Sequence, residues 1–307
     1  MISRRNIRVK VMQTLYTLST LETKPASGYP QQLLNRHFDQ TRNLLVHLTW
    51  FLTQVMRYAE FYAHQKASKH LPTAEDLNIN TKIAGNELLW KILEDAGFQK
   101  EIDRLKPEGT ADKELIRKIY LQLQDTPEYK TYITTADREK KEERKIMEFI
   151  LNDLLLANPL FVSYIEEHFS NWDDDGEGVV QLLDAYLHKP GSLDFENLVD
   201  TEKKHFAKEL LRTVLEKEEH IQSLIVPKLK NWDPERIAQL DMIMMKMGVA
   251  EFLYFETIPP KVTINEYIDL AKEYSTAQSG QFVNGILDNI HKELVDQGKL
   301  QKTDYKK

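Results

Sequence analysis

The sequence contains no cysteine, which removes disulfides, thiol nucleophiles and thiolate metal sites together and fits a reducing compartment, the cytoplasm. It also lacks any uninterrupted apolar run of the roughly 18 residues that a membrane span requires. Arg5, Arg8 and Lys10 break the opening stretch before a leader-like hydrophobic region forms. The expectation is a soluble chain with no membrane partner. Alternating β-branched runs are scarce and glycine is rare and clustered at breaks, so the pattern disfavours sheets and reads as all-α. The histidines are scattered, with no HExxH pair, Gly-rich phosphate loop or GxSxG elbow. The corresponding expectation is a protein without catalysis, cofactor or metal.

What is present is a chain of 307 residues, 41% hydrophobic, enough for a sizeable core. A net charge of −7 excludes a surface that coats nucleic acid everywhere, because such affinity comes largely from cations meeting phosphates. Any nucleic-acid contact has to be local. One local concentration exists: Arg4, Arg5, Arg8 and Lys10 fall within the first ten residues with no acidic residue among them.

The periodicity predicts a first helix with Ser3 as N-cap, running to about Thr20 and followed by a polar linker from Pro25 to Pro30. Amphipathic segments follow at 32–68, 86–105, 112–123 and 137–157. The acidic run Asp173, Asp174, Asp175 reads as a solvated turn before a helix over 179–188, since Leu182 stands where a calcium loop needs a glutamate. Beyond it come helices at 202–219 and 220–229 and a helix opened by Asp233 and Pro234. Thr263 with Glu266 reads as a capping box stapled by Val262 and Tyr267, and Ser275 with Gln278 as a weaker one.

In the first helix, Ile7, Val11, Leu15 and Leu18 share a core face, while Arg5, Arg8, Met12 and Tyr16 form a neighbouring basic and aromatic edge. Cations at a helix start oppose the macrodipole, so something must compensate them. RNA phosphates would do so, with Tyr16 stacking on an unpaired base. An ordinary solvated terminus with a half-buried tyrosine satisfies the same pattern. In the last helix Phe282 lies at the rim of an apolar stripe, with Gly285 one turn away, an arrangement that suits either a base, a partner backbone or plain core packing.

Both ends resemble the NusB family. The stretch RRNIRVKVMQTLY, from Arg4 to Tyr16, is similar to its arginine-rich first helix ending in Gln-x-Leu-Tyr. IPPKVTINEYIDLAKEYS and the following GQFVNGILDNI match its Pro-x-Lys-Val-x-Ile-Asn-Glu and Phe-Val-Asn-Gly blocks without a gap. The resemblance spans 1–20 and 203–296, so it implies NusB-like helical bundles made by 1–20 and 203–307, with 21–202 as a central, mostly helical insertion.

The family implies a non-enzymatic transcription antitermination factor that binds boxA-type single-stranded RNA jointly with the small ribosomal protein NusE, within the RNA polymerase antitermination complex. Carried over, RNA binding would fall to Arg4, Arg5, Arg8, Gln13, Tyr16, Gln281, Phe282 and Asn284, and partner binding to Glu235 and Asp241. Asn6 stands where many members have another arginine, and Gly280 and Gln281 replace polar or basic residues common before the Phe-Val-Asn-Gly block, which implies a smaller positive patch. Two alternatives stay open. One is an RNA-recognition domain like that of rRNA cytosine methyltransferases, although no βαβ unit follows Leu294. The other is a protein-binding scaffold, dimerising through the stretch with Leu44, Leu45, Leu48, Phe51, Leu52, Val55 and Tyr58.

Overall fold

Ser3 opens the first helix as its sequence predicts: its hydroxyl oxygen accepts a hydrogen bond from the Asn6 amide, and α1 runs Arg4–Ser19. The computed structural model describes residues 2–23, 25–229, 237–300 and 302, and every regular element among them is helical. A turn through Gly28, at φ 87°, leads into the long α2, Tyr29–Ala67. Then follow α3 (Ala74–Leu77), α4 (Glu87–Leu93), α5 (Ala96–Leu105), α6 (Lys113–Asp125), α7 (Pro127–Thr134), α8 (Lys140–Phe149), α9 (Pro159–His168) and α10 (Trp172–His188). The chain closes with α11 (Thr201–Glu216), α12 (Glu218–Ile225), α13 (Gln239–Tyr254), α14 (Pro260–Tyr274) and α15 (Ser279–Asp296). No single helix among the described residues is long and apolar enough to cross a membrane.

These elements form two compact units: a central one from Asp39 to Leu198, and a terminal one that combines Ile2–Phe38 with the described residues from Val199 onward. In the central unit the apolar face of α2 is consumed by the chain's own core. Leu44, Leu45, Leu48, Phe51, Leu52 and Val55 are wholly buried, so this face is not a free docking surface; only Tyr58 of that set is part-exposed. Phe51 stacks against Phe161 at 4.8 Å between ring centroids. The 86–105 stretch is two helices, because Asp95 caps α5 by accepting from the Gly97 and Phe98 amides. The acidic run is no turn: Asp173, Asp174 and Asp175 occupy the first turn of α10, where carboxylates complement the helix dipole. Asp175 is buried and accepts from Thr41 Oγ1 at 2.7 Å and from the Asn171 amide at 2.6 Å.

Buried His47 carries a pH dependence. Burial, with help from His168, lowers its pKa from 6.5 to about 4, and its Nε2 lies 2.8 Å from the Tyr164 hydroxyl. Between those two pH values the unfolded chain binds a proton that the native histidine refuses, so stability rises with pH across this window. Acidification from pH 6.5 towards 4 should therefore cost the central unit about 3 kcal/mol. Chemical unfolding over that range should show the loss in the wild type and a flatter profile in His47→Gln.

The terminal unit is organised around α13, whose sequence DMIMMKMGVAEFL is apolar on nearly every side and buried accordingly. It packs against α1, α11, α12, α14 and α15. Gly248 permits the close approach: a Cβ there would lie 2.9 Å from Leu287 Cδ2 of α15. The helix expected to start at Asp233 and Pro234 has its start outside the described residues. Two other helix starts differ from expectation. α14 begins at Pro260 after Pro259, because proline at the first turn sacrifices no helical hydrogen bond. Thr263 lies inside the helix with its hydroxyl taken by Glu251, and Val262 is exposed, so neither capping box nor staple forms there. α15 begins at Ser279, and Ser275 is instead the C-cap of α14.

Candidate functional site

The inner side of α1 is fixed by one buried carboxylate. Glu251, fully buried on α13, accepts from Arg8 Nε at 2.8 Å and Arg8 Nη2 at 3.1 Å, from Tyr267 Oη at 2.8 Å and from Thr263 Oγ1 at 2.9 Å. Arg8 Nη1 also lies 3.3 Å from Glu266, and its guanidinium sits over the rings of Phe206 and Tyr267. Burial would push the guanidinium down, but the charge and hydrogen bonds of Glu251 override it, so Arg8 stays ionised. Burial and Glu251 together hold the Tyr267 hydroxyl protonated. Behind the cluster Lys302 donates to the carbonyls of Glu251 and Phe255, and burial lowers its pKa to about 8. Arg8 is thus sealed at 2% exposure, and the expectation that it touches RNA is corrected: its role is to hold α1 on α13 and α14.

The outer edge of α1 stays at the surface. Arg4 pairs with Glu202 of α11. Arg5 Nη2 meets Glu273 Oε2 of α14 at 2.5 Å, with Asp269 at 4.0 Å. These carboxylates supply the compensation that cations at a helix start require. Eleven residues on, and so nearly in line with Arg5 about 16 Å along the axis, Tyr16 is 42% exposed. Gln13 is half-buried between them.

A second feature lies on α15. Phe282, half-buried, lines an open groove of about 620 Å³ with Gln281, Gly285, Ala238, Ser279 and Asp241. Asp241 is 5% exposed; its Oδ2 accepts from Ser279 Oγ at 2.8 Å, while its Oδ1 has no hydrogen-bond partner among the described residues. Gly285 has nothing within 4 Å of where a Cβ would stand, so it is a bare stretch of the groove wall. Asn284 is exposed on the same helix. Gly280 is buried where a Cβ would come within 2.7 Å of Lys272, which accounts for a glycine at this departure from the family pattern.

The structure therefore brings Gln281, Phe282 and Asp241 into one groove, and leaves Arg4, Arg5 and Tyr16 on the α1 edge outside its lining. The two features are neighbours through Gln239 Nε2, at the start of α13, which donates to Ser19 Oγ at the end of α1 at 2.6 Å. Glu235, expected on the partner side, lies outside the described residues. Sequence reasoning missed Glu251, although a signal existed. A carboxylate between the apolar pairs Val249/Ala250 and Phe252/Leu253 of α13 has to be paired when the helix is buried.

A family model described as the NusB family matches residues 162–292, from within α9 to within α15, and α1 lies outside that match. A protein of Salinibacter ruber named transcription antitermination protein NusB is 40% identical over 135 residues, covering 44% of this chain and 80% of the relative. The protein of that name from Methylacidiphilum infernorum is 42% identical over 100 residues, 33% of this chain and 69% of the relative. Its namesake from Chloroherpeton thalassium is 37% identical over 113 residues, 37% of this chain and 54% of the relative. No solved structure matches the chain.

Proposed function

Because the chain belongs to the NusB family, we propose that it is a transcription antitermination adaptor that binds boxA-type single-stranded RNA together with the small ribosomal protein NusE. The observation that carries this reading is the pairing, within one compact unit, of a basic and aromatic α1 edge with a groove holding an aromatic ring beside a buried carboxylate. Arg4 and Arg5 meet phosphates, Tyr16 and Phe282 stack on unpaired bases, and Gln13, Gln281 and Asn284 supply amides to base edges. Asp241, in the wall of the groove, is assigned to the side that faces the basic partner.

Charge distribution supports the same division of labour. Residues 39–198 hold 19 Lys and Arg against 29 Asp and Glu, leaving 22 against 19 elsewhere. The carboxylate excess therefore resides in the central unit, and the unit bearing the α1 edge is the one an RNA strand approaches with least repulsion. The role is that of an adaptor, and no covalent step is assigned to it.

Anisotropy with a labelled boxA-type single strand, with and without purified NusE, tests the reading. Binding that prefers this strand to duplex RNA and tightens with NusE is expected; equal binding to duplex, indifferent to NusE, contradicts it. A second expected result concerns Gly285→Leu. The open space at Gly285 accepts a side chain and a helical glycine is replaced, so thermal unfolding should be unchanged or slightly raised. The same leucine fills the groove beside Phe282 and should weaken RNA or partner binding by about tenfold, the equivalent of losing one stacked base. Normal binding by a stably folded Gly285→Leu protein would remove the groove from the interface.

A further inference from the structure

The three carboxylates that face Arg4 and Arg5 stand where RNA phosphates have to stand if those arginines bind RNA. Glu202 comes from α11, and Asp269 and Glu273 lie one turn apart on α14. Carboxylate and phosphate present similar oxygen acceptors to a guanidinium, so an arginine nitrogen engaged by one is withheld from the other. The pairs at Arg4 and Arg5 are also exposed, unlike the sealed pair at Arg8, and exposed pairs exchange readily. From this geometry we infer that Glu202, Asp269 and Glu273 are built-in competitors of RNA phosphate, which set the affinity of the α1 edge by holding its arginines until a strand displaces them.

The inference rests on the RNA reading above and adds a regulatory device to it. RNA binding becomes an exchange of acceptors: two guanidinium groups leave carboxylates for phosphates, and three freed carboxylates turn to solvent or to a cationic partner. A strand that offers only one phosphate at the edge gains little from the exchange, so weak, short or misplaced strands are rejected.

The test compares the intact wild-type chain with the triple variant Glu202→Gln, Asp269→Asn, Glu273→Gln, using a short labelled single-stranded RNA at about 0.1 M salt. The triple variant should bind about fivefold to twentyfold more tightly. A control variant with the same net charge, Glu209→Gln, Glu218→Gln, Asp288→Asn, neutralises carboxylates paired elsewhere in the same unit, with Arg212, Lys246 and Lys292. It should gain less than about twofold. Adding Arg5→Ala to the triple variant should abolish most of its gain. Binding by the wild type with no gain in the triple variant, or an equal gain in the control, overturns the inference and leaves the RNA reading standing. No binding by any of the proteins overturns both.

Discussion

Arg8→Ala is expected to destabilise the terminal unit by about 3–5 kcal/mol, whereas Arg5→Ala costs it less than about 1 kcal/mol, although both residues are arginines of one helix. The difference lies in what each leaves behind. Removing Arg5 exposes Glu273 and Asp269 to water, which solvates them. Removing Arg8 leaves the Glu251 carboxylate fully buried without the guanidinium that engages both its oxygens. The hydroxyls of Thr263 and Tyr267 still donate to it, while Lys302 donates to its backbone carbonyl and not to the carboxylate. A lysine does not substitute, because a single ammonium cannot engage both carboxylate oxygens as Arg8 Nε and Nη2 do. Urea unfolding of the three proteins checks this, and a stability change below about 1 kcal/mol in Arg8→Ala would contradict the clasp. RNA binding by Arg8→Ala should fall only in step with unfolding, since the residue positions α1 and does not reach the strand.

The clasp also shows where legibility stopped. The start of α1 could be read from its own residues, because N-capping is a local exchange between Ser3 and Asn6. The long α2, its apolar face and the all-helical class followed from periodicity alone. The partner of Arg8 could not be read, since Glu251 is 243 positions away and nothing local distinguishes Arg8 from Arg5. The same long-range competition defeated the Thr263 capping box: the hydroxyl that would have capped a helix donates to Glu251 instead. The acidic run at Asp173 was misplaced for the opposite reason. Three carboxylates and a glycine favour a turn by composition, yet their position at a helix start makes them favourable in the first turn of α10. The family blocks were legible at 203–296, and the family-model match extends upstream of them to 162.

The other large effect is expected at the aromatic residues. Tyr16→Ala and Phe282→Ala should each weaken binding of a single strand by about 1–3 kcal/mol, roughly fivefold to 150-fold, if each ring carries one stacked base. Tyr16 is 42% exposed, so its loss should leave the fold intact and the whole effect should fall on RNA. Phe282 is half-buried in the groove wall, and its variant needs unfolding data beside the binding data. Retention of duplex binding alongside loss of single-strand binding would identify the rings as base platforms, since a base stacked within a duplex has no free face to offer. Unchanged single-strand affinity in both variants would place the RNA elsewhere.

The most direct measurement is the salt dependence of single-strand RNA affinity for the wild type and for Arg4→Ala, Arg5→Ala. Each phosphate contact on a single strand contributes about 0.7 to the slope of log affinity against log salt. Loss of both arginines should therefore flatten the slope by about 1.4 and weaken binding most at low salt. Parallel lines for the two proteins would mean that these side chains meet no phosphate, and the α1 edge would cease to be an RNA surface.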